Sequence, residues 1–441
     1  MELFLFHFRQ TGNTVEQCFI GDIAFDTIDP ANLEAILSTR AKDFHFGRRR
    51  DITFPLLGDG IFTQEGAAWK RSRELLRAPL QHKHYETLDV FKQSVDDLIE
   101  VLSNHTQTGV VDLQPLFFAL TLDVSSEFLF GESVKSLKAP ETATEQTFHG
   151  AFSTAQTFLA KRFRLPDLYW LIGGSKFKKA CDDVHQFADQ IIDRNLSSSK
   201  SENSVFLNSL AECTADRDAL RGQIINLLAA GRDTTACLLT WTFFLLVRHP
   251  RVLEKLREEI DANHTANLTR TDLRRMGYLQ NVLKETLRLY PSVPVNDRKA
   301  SKTTLLPTGG GPDRTAPVLI PKGATVAWSV YAMHRRPDFY GMDAELFRPE
   351  RWDEDMPINH DKTTAAWGYL PFNGGPRTCL GMDFAFTEAA YAVFRILHHF
   401  PIIRLPAGQN VELIGVEKQT ITLVLQSTEG CLVDFGSAKE L

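Results

Sequence analysis

Residues 372–381 constrain this chain more than any other segment. They read Phe-Asn-Gly-Gly-Pro-Arg-Thr-Cys-Leu-Gly, and a long helix is predicted directly after them, over about 382–399. The glycines and the proline predict an irregular loop whose backbone can fold closely around the thiol of Cys379. A helix that begins just after the cysteine brings the positive end of its dipole near the sulfur and favours the thiolate. The segment therefore predicts a loop that presents a thiolate.

A thiolate in such a loop is a strongly donating ligand for iron. Arg377, two residues earlier, can reach a haem propionate. The alternative is a glycine-rich turn around a buried structural cysteine. The other cysteines are scattered and form no Cys-x-x-Cys pair, so neither a zinc or iron–sulfur site nor a disulfide framework is predicted. They are Cys18, Cys181, Cys213, Cys237 and Cys431.

The segment resembles the haem-binding loop of the cytochromes P-450, FxxGxRxCxG, at every fixed position. The resemblance implies haem b as cofactor, with Cys379 as the axial ligand of the iron. It implies a mainly α fold with small β-sheets, in which the haem lies between a long distal helix and the cysteine loop with the last long helix. Because the motifs are spread over residues 69–381, one catalytic domain over residues 1–441 is expected. The implied cofactor-binding residues of the loop are Phe372, Gly375, Arg377, Cys379 and Gly381.

The longest helix is predicted over residues 216–248, where His249-Pro250 ends it, and it carries Ala-Gly-Arg-Asp-Thr-Thr at 230–235. Glycine and threonine are poor interior helix residues, so a structural kink is the alternative. The resemblance implies that Gly231 leaves room for dioxygen, that Thr234 hydrogen-bonds the bound oxygen, and that Asp233 feeds protons towards it. An acid beside an alcohol suits controlled protonation. Asp233 and Thr234 are therefore the predicted catalytic residues.

Glu285 and Arg288 stand three residues apart and share one face of a helix predicted over about 277–290. Taken alone, they indicate a surface ion pair of small energetic value. The resemblance implies instead a structural triad with Arg351, which stabilises the fold behind the cysteine loop and does no chemistry.

Further residues are implied to bind the haem propionates, since buried carboxylates need paired cations. Trp69 and Arg73 match the family's WxxxR helix. Arg298, ten residues after Arg288, matches a basic position near the other propionate, with a solvated strand residue as the alternative. Arg73, Arg298 and Arg377 are the predicted anchors.

Several stretches resemble one branch of the family, the fungal and yeast hydroxylases of alkanes and fatty acids; they are 55–62, 112–118, 127–133, 290–294, the insert at Gly309 and 331–336. The branch implies hydroxylation of a fatty acid or n-alkane at or near its terminal carbon, using O2 and electrons from NADPH-cytochrome P-450 reductase. Alternatives are a monooxygenase of a specialised metabolite, a haem-thiolate isomerase or dehydratase, and a non-catalytic haem-binding remnant of a truncated gene. Some apolar residues lie in stretches that line the substrate pocket in the family, and each of them could equally be an ordinary core residue. They are Ile61, Phe62, Leu228, Ala229, Val293, Val295 and Leu423.

Composition adds limits on partners and location. The 441 residues carry a net charge of −6, which gives no reason to expect nucleic acid as a partner. The first residues, MELFLFHFRQ, are too short an apolar run to cross a membrane, which takes about 20 residues, and no later run is expected to do so. Members of the branch usually begin with a membrane anchor, which this chain is expected to lack. The family implies a place on the cytoplasmic side of the endoplasmic reticulum, with peripheral membrane contact.

The remaining pattern predicts the order of the smaller elements. Residues 1–28 are predicted to form one or two strands with a turn near 11–13, and Asp29-Pro30 to open a helix with Leu33, Ile36 and Leu37 on one face. Further predicted helices cover 65–78, about 85–103, 112–130, 147–165 and a segment ending near 196. Predicted strands lie within 297–327 and at 402–405, 420–426 and 431–435.

Overall fold

The computed structural model describes residues 1–19, 22–105, 109–138, 144–197, 206–207, 210, 216–263, 265, 267–409, 411 and 417–436. The chain separates into two compact units. The first unit comprises Met1–Gly47, Asn281–Cys379 and Asn410–Gln419, and the second comprises Arg48–Gln280, Leu380–Gln409 and Thr420–Leu441. The expectation of one catalytic domain stays a prediction.

Helices dominate the described residues, and the strands are short. The α-helices are α1 (Glu2–Thr11), α2 (Pro30–Glu34), α3 (Arg49–Leu57), α4 (Gly66–Arg77), α5 (Asp89–His105), α6 (Leu113–Phe130), α7 (Thr144–Arg164), α8 (Ser175–Ser197), α9 (Arg217–Leu246), α10 (Pro250–Ala262), α11 (Arg270–Arg275), α12 (Gly277–Leu289), α13 (Val330–Met333), α14 (Pro337–Tyr340), α15 (Lys362–Trp367) and α16 (Met382–His399). The strands are β1 (Thr14–Phe19), β2 (Asp22–Thr27), β3 (Phe44–His45), β4 (Val110–Asp112), β5 (Val295–Ala300), β6 (Thr304–Gly310), β7 (Ala316–Ile320), β8 (Thr325–Ser329), β9 (Gln419–Ile421), β10 (Leu425–Ser427) and β11 (Leu432–Asp434). The predicted mainly α fold with small sheets is confirmed.

The first unit contains a five-stranded sheet in the order β1-β2-β8-β5-β3. Its pairs are antiparallel except β2 with β8, which is parallel. Asp29 caps α2 as predicted, because its carboxylate accepts a hydrogen bond from the amide of Ala31 at 2.9 Å. A π-helical turn, Ala35–Thr39, continues α2. The predicted apolar face of Leu33, Ile36 and Leu37 is buried in the core of this unit.

Residues 2–11 form α1, so the predicted strand at the N-terminus is wrong. Leu5 and Phe8, three residues apart, are buried, whereas Leu3 and Phe6 are exposed. That spacing is helical, although the run of apolar letters also allows alternation. Gly12, with φ +102°, follows the helix, and its amide donates to the carbonyl of Phe8 at 2.9 Å. β1 and β2 both follow this glycine and pair antiparallel, so two strands lie within residues 1–28 as predicted, but both come after the predicted turn near 11–13.

The second unit is built around α9, and α6 packs against it. Asp216 caps α9 by accepting from the amides of Asp218 and Ala219. Among the described residues, α6 is the one helix long and apolar enough to cross a membrane by length and composition, a run that the sequence pattern did not single out. Of its apolar window, 67% is buried inside the protein, as is usual for a core helix.

Three described helices of the second unit, α3, α10 and α11, were not predicted. Pro250 was interpreted as the end of α9, but it is also the first residue of α10, where proline is favoured because its missing N–H has no helical partner. α11 begins with a capping box between Thr269 and Asp272, a signal that the sequence does carry. At 402–405 the structure has only an isolated bridge, from Arg404 to Asp434.

Gly231 brings α9 and α6 close together. A Cβ atom built on Gly231 would lie 2.5 Å from Oγ of Ser125 on α6, and 3.5 Å from its Cβ. One turn earlier on α6, the Thr121 hydroxyl donates to the backbone carbonyl of Arg232 at 2.7 Å. The missing side chain of Gly231 therefore serves helix packing, and the expectation that Gly231 makes room for dioxygen stays a prediction.

The change Gly231→Ala tests this contact. Alanine favours a helix interior by about 1 kcal/mol over glycine, but a methyl group that meets Ser125 Oγ costs about 1–3 kcal/mol of overpacking. We expect G231A to unfold at lower urea concentration than the wild type. In S125A/G231A the clash disappears, since only the Cβ contact at 3.5 Å remains, and the double variant should be at least as stable as S125A alone. If G231A and the wild type have equal urea midpoints of unfolding, the proposed contact between Gly231 and Ser125 is contradicted.

Candidate functional site

In the first unit, residues 372–379 fold back on themselves. The amide of Cys379 donates to the carbonyl of Phe372 at 2.9 Å, and the amide of Thr378 donates to the carbonyl of Gly375 at 3.1 Å. Gly375 has φ +65°, and a Cβ there would lie 2.2 Å from the carbonyl oxygen of Leu37. Only glycine suits this position, because the loop packs directly against the backbone after α2. The side chain of Cys379 is exposed.

Arg298 and Arg377 meet at one aromatic ring in the first unit. Their guanidinium carbons lie 4.4 and 4.3 Å from the centre of the Phe46 ring. Arg298 is 7% exposed, and its Nη1 donates to the carbonyl of Asp297 at 2.6 Å and to the amide oxygen of Asn296 at 3.3 Å. Two cations at one ring make a positive site that suits a ligand with two carboxylates.

Glu285, Arg288 and Arg351 form a fully buried triad in the first unit. Arg288 donates from Nε and Nη2 to both oxygens of Glu285 at 2.8 Å, and Nε of Arg351 donates to Oε1 at 2.8 Å. Burial raises the pKa of Glu285, but the charges of Arg288 and Arg351 outweigh it, so the pKa lies below its usual value. The surface ion pair that the sequence alone suggested is therefore excluded.

The second unit holds the other predicted cofactor contacts. Trp69 on α4 is 9% exposed, and the guanidinium carbon of Arg73 lies 5.8 Å from the centre of its ring. Gly381 immediately precedes α16, and its carbonyl accepts from the amide of Ala385 at 2.9 Å.

Asp233 and Thr234 are neighbours on α9, but their side chains bind different partners. The Thr234 hydroxyl donates to the carbonyl of Ala230 at 2.7 Å. The carboxylate of Asp233, which is buried, accepts from Arg232 Nη1 at 2.7 Å and from the side-chain amide of Gln156 on α7. Burial raises the pKa of Asp233 above its usual value, against the opposing effects of Arg232 and Gln156. The acid is thus held on the α7 side of α9.

One face of α9 is only partly buried. It carries Leu227, Ala230, Gly231 and Thr234, at the spacing of one helix face, while the rest of the middle of α9 is buried. Leu228 and Ala229, which were expected either to line a pocket or to be plain core, belong to the core of the second unit. Their neighbour Leu227 is the residue of this stretch that lies on the partly buried face.

Four contributors were missed in the sequence: Phe46, Thr121, Gln156 and Arg232. Arg232 lies inside the quoted motif, and its buried ion pair was not foreseen. Phe46 and Gln156 belong to no motif, and no spacing signal could have found them.

The residues present fit a haem group. Cys379 offers an exposed thiol in a loop that only glycine permits, and Arg298 with Arg377 offers paired positive charge for two propionates. Within the described part of the chain, no group of three or more His, Cys, Asp or Glu side chains could hold a separate metal ion. The donor set therefore fits a thiolate-bound haem.

Comparisons with known proteins agree with this donor set. The family model described as Cytochrome P450 matches residues 1–426. A cytochrome P450 of Arthroderma benhamiae is 45% identical over 99% of this chain and 86% of that protein. Cytochrome P450 52A13 of Debaryomyces hansenii is 44% identical over 88% of this chain and 78% of its own length, and cytochrome P450 52A1 of Candida tropicalis is 41% identical over 93% and 78%.

The fold is matched as well. The crystal structure of the haem domain of cytochrome P450DA superposes with a TM-score of 0.82, covering 98% of this chain and 91% of that one, at 21% identity. This likeness supports the fold alone, whereas the family model and the relatives above 40% identity carry the assignment. The chain belongs to the cytochrome P450 family and is a haem-dependent monooxygenase.

Proposed function

We propose that this protein hydroxylates fatty acids or n-alkanes at or near the terminal carbon. The observation that carries the proposal is the 41–44% identity to the 52A proteins of Debaryomyces and Candida, whose branch the motifs of this chain resemble. The partly buried face of α9 supports it. That face is apolar at Leu227 and Ala230 and ends at the Thr234 hydroxyl, which suits an aliphatic chain better than a polar ligand.

The cofactor we propose is haem b, with Cys379 as the axial ligand. In the first unit Arg298 and Arg377 bind propionate, and Phe372 and Gly375 shape the loop. In the second unit Trp69 and Arg73 supply a further propionate contact, and Gly381 starts the helix after the loop. When bound, the haem supplies dioxygen activation, and the protein supplies position and protons.

The overall reaction is RH + O2 + 2 electrons + 2 protons, giving ROH and water. Asp233 carries a proton at its carboxyl oxygen and passes it to the Thr234 hydroxyl, which gives up its own proton towards the reacting oxygen. Solvent then reprotonates Asp233. The two electrons come, in this proposal, from an NADPH-cytochrome P-450 reductase.

Substrate class is tested by titrating the purified haem protein with fatty acids and n-alkanes of graded chain length. We expect a saturable low-to-high-spin Soret shift with an optimum at one chain length, because an apolar channel of fixed length excludes longer chains and leaves shorter ones partly hydrated. Adding the reductase and NADPH should then give product oxidised at or near the chain end.

Two results contradict the proposal. If the purified protein contains haem but none of these ligands shifts the Soret band, the substrate is a specialised one. Haem without NADPH-dependent oxygen consumption points to a non-catalytic remnant.

The triad is proposed to be structural. Glu285→Gln keeps the size of the side chain but leaves Arg288 buried without the carboxylate it pairs with and Arg351 with only Asp343, whose Oδ1 lies 3.2 Å from its Nη1; breaking such a buried pair costs about 3–5 kcal/mol. We expect E285Q to lose haem incorporation, measured as the absorbance ratio of haem to protein. Glu258→Gln, an exposed glutamate on α10, is the matched control and should incorporate haem normally. Full incorporation in E285Q contradicts the structural role.

We also propose peripheral contact with the cytoplasmic face of the endoplasmic reticulum. The segment that follows α7, residues 165–171, exposes Leu165, Leu168, Trp170 and Leu171 by 46–65%. It is flanked by basic residues at 161, 164, 176, 178 and 179. Exposed leucine and tryptophan beside basic residues are typical of a segment that lies in the membrane interface.

Sedimentation with vesicles of phosphatidylcholine and phosphatidylserine tests this contact. W170S/L171S should bind several-fold more weakly than the wild type, because it removes the two most exposed apolar side chains of the segment. Met342→Ser, at a residue 93% exposed in the first unit, is the control and should bind as the wild type does. Equal loss in both variants contradicts a specific role of the segment.

A further inference from the structure

Gln156 contacts both charged residues of the α9 motif, although it lies on a different helix. It is 7% exposed. Its Nε2 donates to Oδ2 of Asp233, and its Oε1 accepts from Nη1 of Arg232 at 3.3 Å. Arg232 Nη1 also donates to Oδ1 of Asp233 at 2.7 Å. The three side chains form a closed ring of hydrogen bonds inside the second unit.

This ring is not what a helix gives by itself. Consecutive residues of a helix point in different directions and do not face each other. Arg232 and Asp233 pair here because both side chains turn towards α7. An amide side chain suits position 156, since it offers a donor to the Asp233 carboxylate and an acceptor to the Arg232 guanidinium. A carboxyl group there would repel Asp233, and an alkyl group would bind neither partner.

The surroundings hold the guanidinium of Arg232 in place. It lies 4.9 and 5.5 Å from the centres of two aromatic rings, donates to a serine hydroxyl at 3.1 Å and lies 3.4 Å from the nitrogens of an imidazole; these belong to Phe118, Phe152, Ser153 and His149. Burial, with the charge of Arg232, lowers the pKa of His149 to about 4, so this imidazole is neutral at pH 7. The charge that faces Asp233 is therefore that of Arg232.

We propose that Gln156 is a positioning residue of the oxygenation reaction, whose amide holds the Asp233 carboxylate on the α7 side of α9 until a proton is needed at Thr234. The inference rests on the proposed function and adds to it a residue outside every motif. In the ring, two hydrogen bonds favour the anionic carboxylate. Once released from Gln156, the carboxylate loses one of them, and burial then favours the protonated form, which is the form that donates. Solvent supplies that proton to the released carboxylate. It passes to the Thr234 hydroxyl, which gives up its own proton towards the reacting oxygen, and the anionic carboxylate can then bind Gln156 again.

The test uses the holoenzyme with three variants. Gln156→Leu removes the amide, and Gln156→Glu keeps its size but places a second carboxyl group beside Asp233. Thr157→Ala changes the next residue on α7, which is exposed, and serves as the control. Melting curves establish that the variants fold, and Q156E, which keeps the size of the side chain, carries the test if Q156L does not fold.

The first measurement is infrared titration of the Asp233 carboxyl stretch, assigned by its loss in D233N. We expect the midpoint to rise by about one pH unit in Q156L, since a hydrogen bond to the carboxylate is lost, and further in Q156E. T157A should titrate as the wild type does. An unchanged midpoint in both Gln156 variants overturns the proposal.

The second measurement is the hydrogen peroxide released per NADPH oxidised, followed over pH. If Gln156 controls when the proton moves, peroxide release should rise several-fold in Q156L and its pH dependence should shift with the infrared midpoint. A shifted midpoint with unchanged peroxide release also overturns the proposal. If the wild type consumes no oxygen with any aliphatic substrate, the proposed function fails, while the infrared titration still decides whether Gln156 holds Asp233.

Discussion

The buried carboxylate of Glu285 is the interaction on which the first unit depends. Taking a carboxylate and two guanidinium groups out of water costs several kcal/mol for each ion, which attraction between them repays only when the hydrogen bonds are complete. Glu285 accepts five, two from Arg288 and one each from Arg351, Trp352 and the backbone amide of Arg348. The remaining N–H groups of the two arginines bind backbone carbonyls between α13 and the turn after α14, at His334, Tyr340, Asp343, Ala344 and Leu346. Much of this stretch is irregular, so side chains rather than a helix or sheet ladder satisfy its backbone.

Arg232 and Asp233 on α9 are also a buried pair of a guanidinium and a carboxylate, but less free energy is needed to release the carboxylate from its neighbours. Separating Glu285 from its partners breaks five hydrogen bonds and leaves buried charges, at about 3–5 kcal/mol. Releasing Asp233 from Gln156 breaks one hydrogen bond to a carboxylate, about 1.5–3 kcal/mol, and Arg232 can remain in place. The first arrangement is therefore permanent, and the second can exchange during a reaction. Burial of an ion pair does not by itself distinguish a structural from a chemical role, whereas the number and type of its partners does.

The sequence predicted the features that short spacing encodes. The cysteine loop shows its glycines and its thiol within ten residues, and Glu285 with Arg288 shows a shared helix face, so both could be found without the fold. Helix α16 was predicted with its observed bounds, since a strong apolar pattern follows the loop directly. Phe46 could not be found, because it meets Arg298 and Arg377 across more than 250 residues of chain. Gln156 is separated from Asp233 by 77 residues and looks in the sequence like any polar helix residue.

What the sequence leaves open on α9 has a geometric cause. A sequence shows that Gly231 lacks a side chain, but it does not show in which direction the missing Cβ would point, and that direction decides between a ligand groove and a helix contact. In this structure the missing Cβ of Gly231 points towards Ser125 on α6, whose hydroxyl occupies the space next to the glycine. For the same reason Leu228 is buried in the core while Leu227 lies on the partly buried face, since one residue along a helix turns the side chain by about 100°. Motifs therefore locate the chemistry along the chain, while the neighbouring helices α6 and α7 decide which side chains of α9 take part in it.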